Sequence, residues 1–332
     1  MSTTAATTEP RFFDRAIVKT MPLLPRGLVR RLSSPYIAGA TLDEAIGTVQ
    51  GLAARGMGTT LDVLGEAISR REEAEATRDA YLEAARELGA IEDPSLLAQG
   101  VIGSGVRNVS VKLTALGLGI DDRLVHDNVA AIAAAMAEIG GFVRIDMEDS
   151  PYTDATLELF RALRGAGHEN LGIVVQAYLK RTQSDVEQLA SEGARVRVVK
   201  GIYVEPEAIA WRDMPSINRA YLDLCRILAE ADCHAAYATH DDALIEGCRA
   251  IVERYDVARD SYEFQMLLGV REGRRDELVA QGHPVRVYVP FGAQWYEYSV
   301  RRLRENPRVA GHVARETMAG WRRRVSRGGR AG

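Results

Sequence analysis

Apolar and polar positions along the chain follow two alternating periods. Short runs rich in β-branched and aromatic residues at 59–64, 109–114, 142–147, 172–177, 195–200, 234–239, 262–267 and 285–290 predict eight strands. Between them, stretches rich in Ala, Leu, Glu and Arg at 69–99, 124–139, 154–166, 184–192, 207–231 and 242–254 predict helices. Residues 11–56 read as helical, with Thr41-x-x-Glu44 as a capping box ahead of Ala45, Ile46 and Val49, and Ser184-x-x-Glu187 gives another capped start. Strand-helix alternation repeated in this way is of the α/β class. It argues for parallel strands with right-handed crossovers, closing into a (β/α)8 TIM barrel preceded by N-terminal helices. An open doubly wound sheet is the structural alternative, but no strand leads into a full G-x-G-x-x-G; Gly103-Ser-Gly105 lacks the third glycine. The expected organisation is an arm with helices over 1–56, the barrel over 57–306, and a C-terminal helix with a basic tail over 307–332.

The last strand leads into the most informative segment. After Val285 to Pro290 comes a turn at Gly292 and then a helical pattern. On it Tyr298, Arg301, Arg302 and Glu305 fall at i, i+3, i+4 and i+7 and share one face, with Trp295, Tyr296, Val300 and Leu303 on the other side. A guanidinium pair at the mouth of a strand-turn-helix unit suits bidentate capture of a small carboxylate. The bland reading is the solvated face of an amphipathic helix.

Composition narrows the classes. The chain has 332 residues, 46% hydrophobic and 27% charged, as in an ordinary globular protein with room for a sizeable core. A net charge of -4 gives no case for nucleic acid as a partner. Cys225, Cys233 and Cys248 lack any ligand or disulfide spacing, which fits a reducing compartment and argues against zinc. The first residues are too polar for a signal peptide, and no run of eighteen apolar residues occurs. The expected location is cytoplasmic, with a peripheral contact at the inner membrane face as the role open to the basic tail from Trp321 to Arg330. A solvated tail is the other reading.

In such a barrel chemistry sits at the C-terminal strand ends. This sequence places Asp62, Lys112, Asp146, Met147, Glu148, Gln176, Arg197, Lys200, Tyr203, Thr239, His240, Gln265 and Tyr288 there. Lysine occurs only at 19, 112, 180 and 200, so each is conspicuous. Lys112 reads as a rim lysine, a carboxylate partner or a Schiff-base nucleophile, and Lys200 carries the same possibilities. Asp146 could pair with Lys112 or Arg197, form a structural salt bridge, or ligate a metal. Only His240 and Asp241 offer themselves as further ligands, so no metal is expected. Gln176, Arg197, Lys200, Gly201, Tyr203, Thr239 and His240 combine amide, cations, a close-approach glycine and a hydroxyl–imidazole pair, a mixture suited to a large polar cofactor such as a flavin nucleotide.

These residues stand in an order that closely resembles the proline dehydrogenase family, also called proline oxidase. The matching segments are Val-Ser-Val-Lys112-Leu-Thr, Arg-Ile-Asp146-Met-Glu-Asp, Gln176-Ala-Tyr, Arg197-Val-Val-Lys200-Gly-Ile-Tyr203, Ala-Thr239-His240-Asp, Glu-Phe-Gln-Met-Leu267, Tyr288-Val-Pro-Phe-Gly and Tyr298-x-x-Arg301-Arg302-x-x-Glu305. The resemblance covers roughly residues 57 to 306 and is to the monofunctional bacterial form. It implies a distorted (β/α)8 barrel with non-covalent FAD at its mouth, oxidising L-proline to Δ1-pyrroline-5-carboxylate by hydride transfer to the flavin N5, with a quinone as electron acceptor. By matching position, Arg301, Arg302 and Lys112 would bind the proline carboxylate. Tyr288 and Leu267 would pack around the ring, and Tyr298 and Glu305 would orient the arginine pair. Met147, Gln176, Arg197, Lys200, Gly201, Ile202, Thr239 and His240 would contact FAD, with Arg197 near N5 and Asp146 holding the cations together. The family more often has alanine where Ile202 stands, a departure that leaves a backbone contact there intact. The rival enzyme is a Schiff-base aldolase-type barrel using Lys112 or Lys200; a non-catalytic binding barrel is the third reading.

Overall fold

Eight strands close on themselves in the order β1 to β8, every neighbouring pair parallel. The structure is a computed structural model that describes residues 34–65, 68–91, 105–296 and 298–299. The strands are β1 Gly58–Val63, β2 Asn108–Val111, β3 Phe142–Ile145, β4 Leu171–Gln176, β5 Val196–Val199, β6 Ala235–Ala238, β7 Tyr262–Leu267 and β8 Val285–Phe291. Helix α1 (Leu42–Ala53) precedes β1, and the crossovers are α2 (Arg71–Gly89), α3 (Asp122–Glu138), α4 (Thr153–Gly165), α5 (Thr182–Ser191), α6 (Met214–Glu230), α7 (Asp242–Arg254) and α8 (Glu272–Ala280). This is the (β/α)8 barrel that the alternation predicted.

Several starts are written locally. Thr41 Oγ1 accepts from Glu44 N while Glu44 Oε2 accepts from Thr41 N, a capping box worth about 0.5–2 kcal/mol to α1. Asp121, Asp213 and Asp241 cap α3, α6 and α7 through their carboxylates. Three local expectations shift. α5 begins at Thr182, and Ser184 lies inside its first turn with Oγ donating to Arg181 O at 3.1 Å, so it is no cap. α6 begins only at Met214, because Asp213 caps there and Pro215 suits the first turn but not a helix interior. α8 went unrecognised: among its nine residues only Arg275 and Leu278 are buried, too little for an apolar stripe.

The strands alternate in chemistry. One face supplies Leu61, Val109, Val111, Val143, Ile145, Ile173, Val196 and Val198 to an apolar layer under the helices, shared with Leu88, Ile132, Phe160, Leu189 and Leu224. Each such side chain contributes about 1.5–3 kcal/mol on burial. The other face fills the barrel with polar groups in place of the usual branched apolar layers. Near the floor, Arg286 Nε donates to both Glu263 oxygens at 2.9 and 3.1 Å, and its Nη1 donates to Thr59 O and Gly105 O at 2.6 and 2.7 Å. Although burial opposes its charge, Arg286 holds the Glu263 carboxyl down at about 2. Arg144 Nη1 donates to Arg195 O at 2.6 Å, and the guanidinium lies over Gly172, where a Cβ would meet Nη1 at 2.5 Å.

Ala38–Gly292 form one compact unit; residues 34–37, 293–296, 298 and 299 belong to a second. In that second unit Trp295 and Tyr296 meet edge-on with ring centroids 5.8 Å apart, and Ser299 Oγ donates to Trp295 O at 2.5 Å.

Candidate active site

At the C-terminal end of the barrel, five residues from β1, β2, β3, β5 and β8 close into one hydrogen-bonded chain. Lys112 follows directly on β2 and Asp146 directly on β3, where the chain leaves the sheet and its side chains still point along the barrel mouth. Lys112 Nζ donates to Asp62 Oδ1 at 2.7 Å and to Tyr288 OH at 3.2 Å. Tyr288 OH donates to Asp146 Oδ2 at 2.8 Å, and Arg197 Nη1 donates to Asp146 Oδ1 at 2.7 Å. Arg197 Nη2 reaches across the barrel interior to Ser110 Oγ at 3.0 Å, which in turn meets Thr60 Oγ1 at 3.0 Å. Tyr81, from α2, donates from its hydroxyl to Ser110 O at 2.6 Å and so ties the helix layer to this strand.

The cluster is charge-balanced, with Asp62 and Arg197 buried and Lys112, Asp146 and Tyr288 half-buried. Two cations, Lys112 and Arg197, face two carboxylates, Asp62 and Asp146. Both cations also sit over the Tyr288 ring, Nζ of Lys112 at 5.9 Å and Cζ of Arg197 at 5.5 Å from its centroid. Burial raises the Asp62 carboxyl above its ordinary value against the pull of Lys112. Burial likewise opposes the Lys112 charge, yet Asp62, with Asp146 beyond it, holds its ammonium well above the usual lysine range. Burial and the two carboxylates push the Tyr288 hydroxyl well up, so it stays protonated and can donate.

A second polar group borders the first. Gln176 Nε2 donates to Glu148 O at 2.8 Å, and Glu148 Oε2 accepts from Thr114 N at 2.9 Å, beside buried Met147. Lys200 Nζ pairs with Asp241 Oδ2 at 2.8 Å, while Thr239 Oγ1 accepts from Asp241 N at 3.2 Å. His240 Nε2 accepts from Leu267 N at 2.9 Å, which places the imidazole proton on Nδ1 and fixes the backbone of Leu267. Gly201 has φ +108°, and a Cβ there would lie 2.1 Å from the Tyr178 ring. Only glycine fits that turn. Beyond it, Ile202, Val204, Ile209, Trp211 and Met214 are all exposed, five of the six exposed large hydrophobics among the described residues.

The model of the family described as "Proline dehydrogenase" matches residues 45–315. The chain belongs to the proline dehydrogenase family. It is 35% identical over 302 residues to the proline dehydrogenase of Deinococcus radiodurans, a match covering 90% of this chain and 93% of that protein. It is also 35% identical over 278 residues to proline dehydrogenase 2 of Bacillus subtilis strain 168, covering 84% and 88%. Proline utilization A from Bdellovibrio bacteriovorus, solved after inactivation by N-propargylglycine, superposes with TM-score 0.79 at 26% identity; the match covers 90% of this chain and 37% of that one. Like its proline dehydrogenase relatives, the chain is an oxidoreductase for which proline oxidation, the first step of proline catabolism, is the reaction.

Set against the proline dehydrogenase expectations, Lys112, Asp146, Arg197 and Tyr288 meet in one cluster, with Gln176, Met147, Lys200, Gly201, Thr239, His240 and Leu267 at neighbouring strand ends. Tyr298 lies in the second compact unit. Arg301, Arg302 and Glu305 lie outside the described residues. Asp62 stood among the strand-end residues named from the sequence but without a role, while Ser110 and Tyr81 were not singled out at all. For Ser110 the signal was present, because it lies two residues before Lys112 and therefore on the same strand face.

Proposed function

We propose that this proline dehydrogenase uses FAD at the barrel mouth to oxidise L-proline to Δ1-pyrroline-5-carboxylate, passing the electrons on to a quinone. The observation that carries the reading is the continuous chain Asp62–Lys112–Tyr288–Asp146–Arg197, which links the Lys112 ammonium to the Arg197 guanidinium through one half-buried tyrosine and a carboxylate. The residues present fit the cofactor. Lys200 supplies a partly exposed ammonium for a pyrophosphate, Gly201 lets backbone approach a ligand, and the His240 ring is anchored beside them through Nε2, which accepts from Leu267 N. Gln176, Met147, Ile202 and Thr239 complete the proposed FAD contacts.

Bound FAD supplies a hydride acceptor. The protein's part is to bind, orient and hold charge. Lys112, joined in this reading by Arg301 and Arg302 under the control of Tyr298 and Glu305, grips the proline carboxylate and so fixes the ring. Tyr288 and Leu267 pack against the pyrrolidine. Cations around the carboxylate disfavour the protonated ring amine, which must lose its proton before C5 gives up its hydride and the C5=N bond forms. Arg197, fixed by Asp146 and Ser110, stands where negative charge develops on the cofactor side. A Schiff-base role for Lys112 is disfavoured, since that chemistry needs a neutral amine and two carboxylates here preserve the ammonium.

The test is the visible spectrum of purified protein and its response to proline under anaerobic conditions. A flavin absorbance bleached by proline supports the reading. Colourless protein that takes up no FAD on reconstitution sinks it.

A further inference from the structure

Lys112 is the cation that the reading above gives to the substrate carboxylate, and its direction is constrained from below. An ammonium carries three N–H groups. One is committed to Asp62 Oδ1 at 2.7 Å and one to Tyr288 OH at 3.2 Å, whereas Asp146 Oδ2, at 3.8 Å, is an ion-pair neighbour beyond hydrogen-bond reach. Among the described residues no further hydrogen bond of Nζ occurs, and the Lys112 side chain keeps 13% of its surface exposed. The third N–H is therefore the one available to a ligand, and Asp62 with Tyr288 decides where it points.

Asp62 itself cannot reach that ligand. Its side chain is 1% exposed, and Oδ2 has neither a partner nor exposed surface. β1 places it against Ser110 of β2 and Pro290 of β8, below the rim. A carboxylate in such a position, left with one oxygen unpaired, is a poor stability device, because burial of an unsatisfied charged oxygen is unfavourable.

We infer that Asp62 is a positioning residue of this enzyme, which fixes the direction of the Lys112 ammonium and preserves its charge for carboxylate binding. The inference rests on the proline reading of the site. Burial works against a charged lysine, and of the groups that offset it Asp62 is the largest. Without the Asp62 charge, Lys112 would titrate nearer the working range, and substrate affinity would acquire a dependence on that titration.

Asp62→Asn tests this, since the amide keeps the shape and an acceptor for Nζ but removes the charge. The measured quantity is the ratio of proline KM in the variant to that in the parent, taken from about pH 7 to about pH 9.5. The ratio is expected to climb severalfold across that range, because burial of Lys112 is then offset by fewer charges and its ammonium fraction falls as pH rises. In a Lys112→Met background the same substitution is expected to add no pH dependence. Asp62→Glu, which keeps the charge but displaces it, is expected to raise KM equally at every pH; flavin content and thermal melting report whether each variant is folded. A pH-independent ratio for Asp62→Asn, or pH dependence that survives in Lys112→Met, overturns the assignment while leaving proline oxidation intact. Should Asp62→Asn fail to fold, an Asp62→Glu KM unchanged from the parent overturns it instead. A parent enzyme whose flavin proline does not bleach overturns the substrate reading and this assignment together.

Discussion

His234 offers a quantitative test of how the barrel interior is held. It stands at the foot of β6, where its carbonyl accepts from Val196 N at 3.0 Å, and it is 8% exposed. Neither ring nitrogen has a hydrogen-bond partner among the described residues. Burial lowers the imidazole from 6.5 to about 3; Glu263 pulls the other way, and Arg144, Arg286 and Arg195 reinforce the burial. The folded pKa lies below the unfolded one, so the neutral ring is favoured in the folded state. Its contribution is complete above about pH 6.5 and is lost as the pH falls toward 3, because the unfolded chain takes up a proton that the folded one refuses. A depression of about 3.5 units corresponds to about 5 kcal/mol over the full range, and to about 2.3 kcal/mol between pH 6.5 and pH 4.5. His234→Leu removes the titrating ring at similar volume and breaks no side-chain hydrogen bond. Thermal melting by circular dichroism at pH 7, 6, 5 and 4.5 is the assay. The parent should lose about 2–3 kcal/mol more than the variant by pH 4.5, or about 4–12 °C of extra Tm loss at about 2–4 °C per kcal/mol. At pH 7 the variant should be at least as stable as the parent, since an unpartnered buried N–H is gone. Parallel pH curves for the two proteins would refute the reasoning.

Three other outcomes follow from the same geometry. Glu263→Gln removes the carboxylate that Arg286 Nε meets at 2.9 and 3.1 Å and should lower stability by about 3–5 kcal/mol in denaturant titration, whereas the parent loses this pair's contribution only as pH falls below about 4.5 toward 2; a variant as stable as the parent would contradict this. Gly201→Ala forces a side chain into a φ of +108° and onto the Tyr178 ring, so the flavin-to-protein absorbance ratio after gel filtration should drop severalfold while the barrel stays folded; an unchanged ratio would remove Gly201 from the cofactor loop. Arg301→Met and Arg302→Met should each weaken proline binding more than about tenfold, about 1.4 kcal/mol or more, with the flavin spectrum intact; near-normal affinity in both would dismiss the carboxylate clamp.

The sequence by itself determined the architecture. Eight β-rich runs separated by helical stretches leave few topologies open once right-handed crossovers are required, and the predicted strands fall within a few residues of those observed. It also named Lys112, Asp146, Arg197 and Tyr288, because residues at C-terminal strand ends converge whatever their separation along the chain. What it left undecided is pairing. Asp146 could have met Lys112 or Arg197; closure of the barrel gives Arg197 the 2.7 Å contact and leaves Lys112 to Asp62, fifty residues away on the neighbouring strand. The charged floor, with Arg144 lying across Gly172 and Arg286 on Glu263, was equally hidden. Period-2 alternation shows which face a residue takes, but only the stagger of a closed barrel decides which inward side chains share a level and touch.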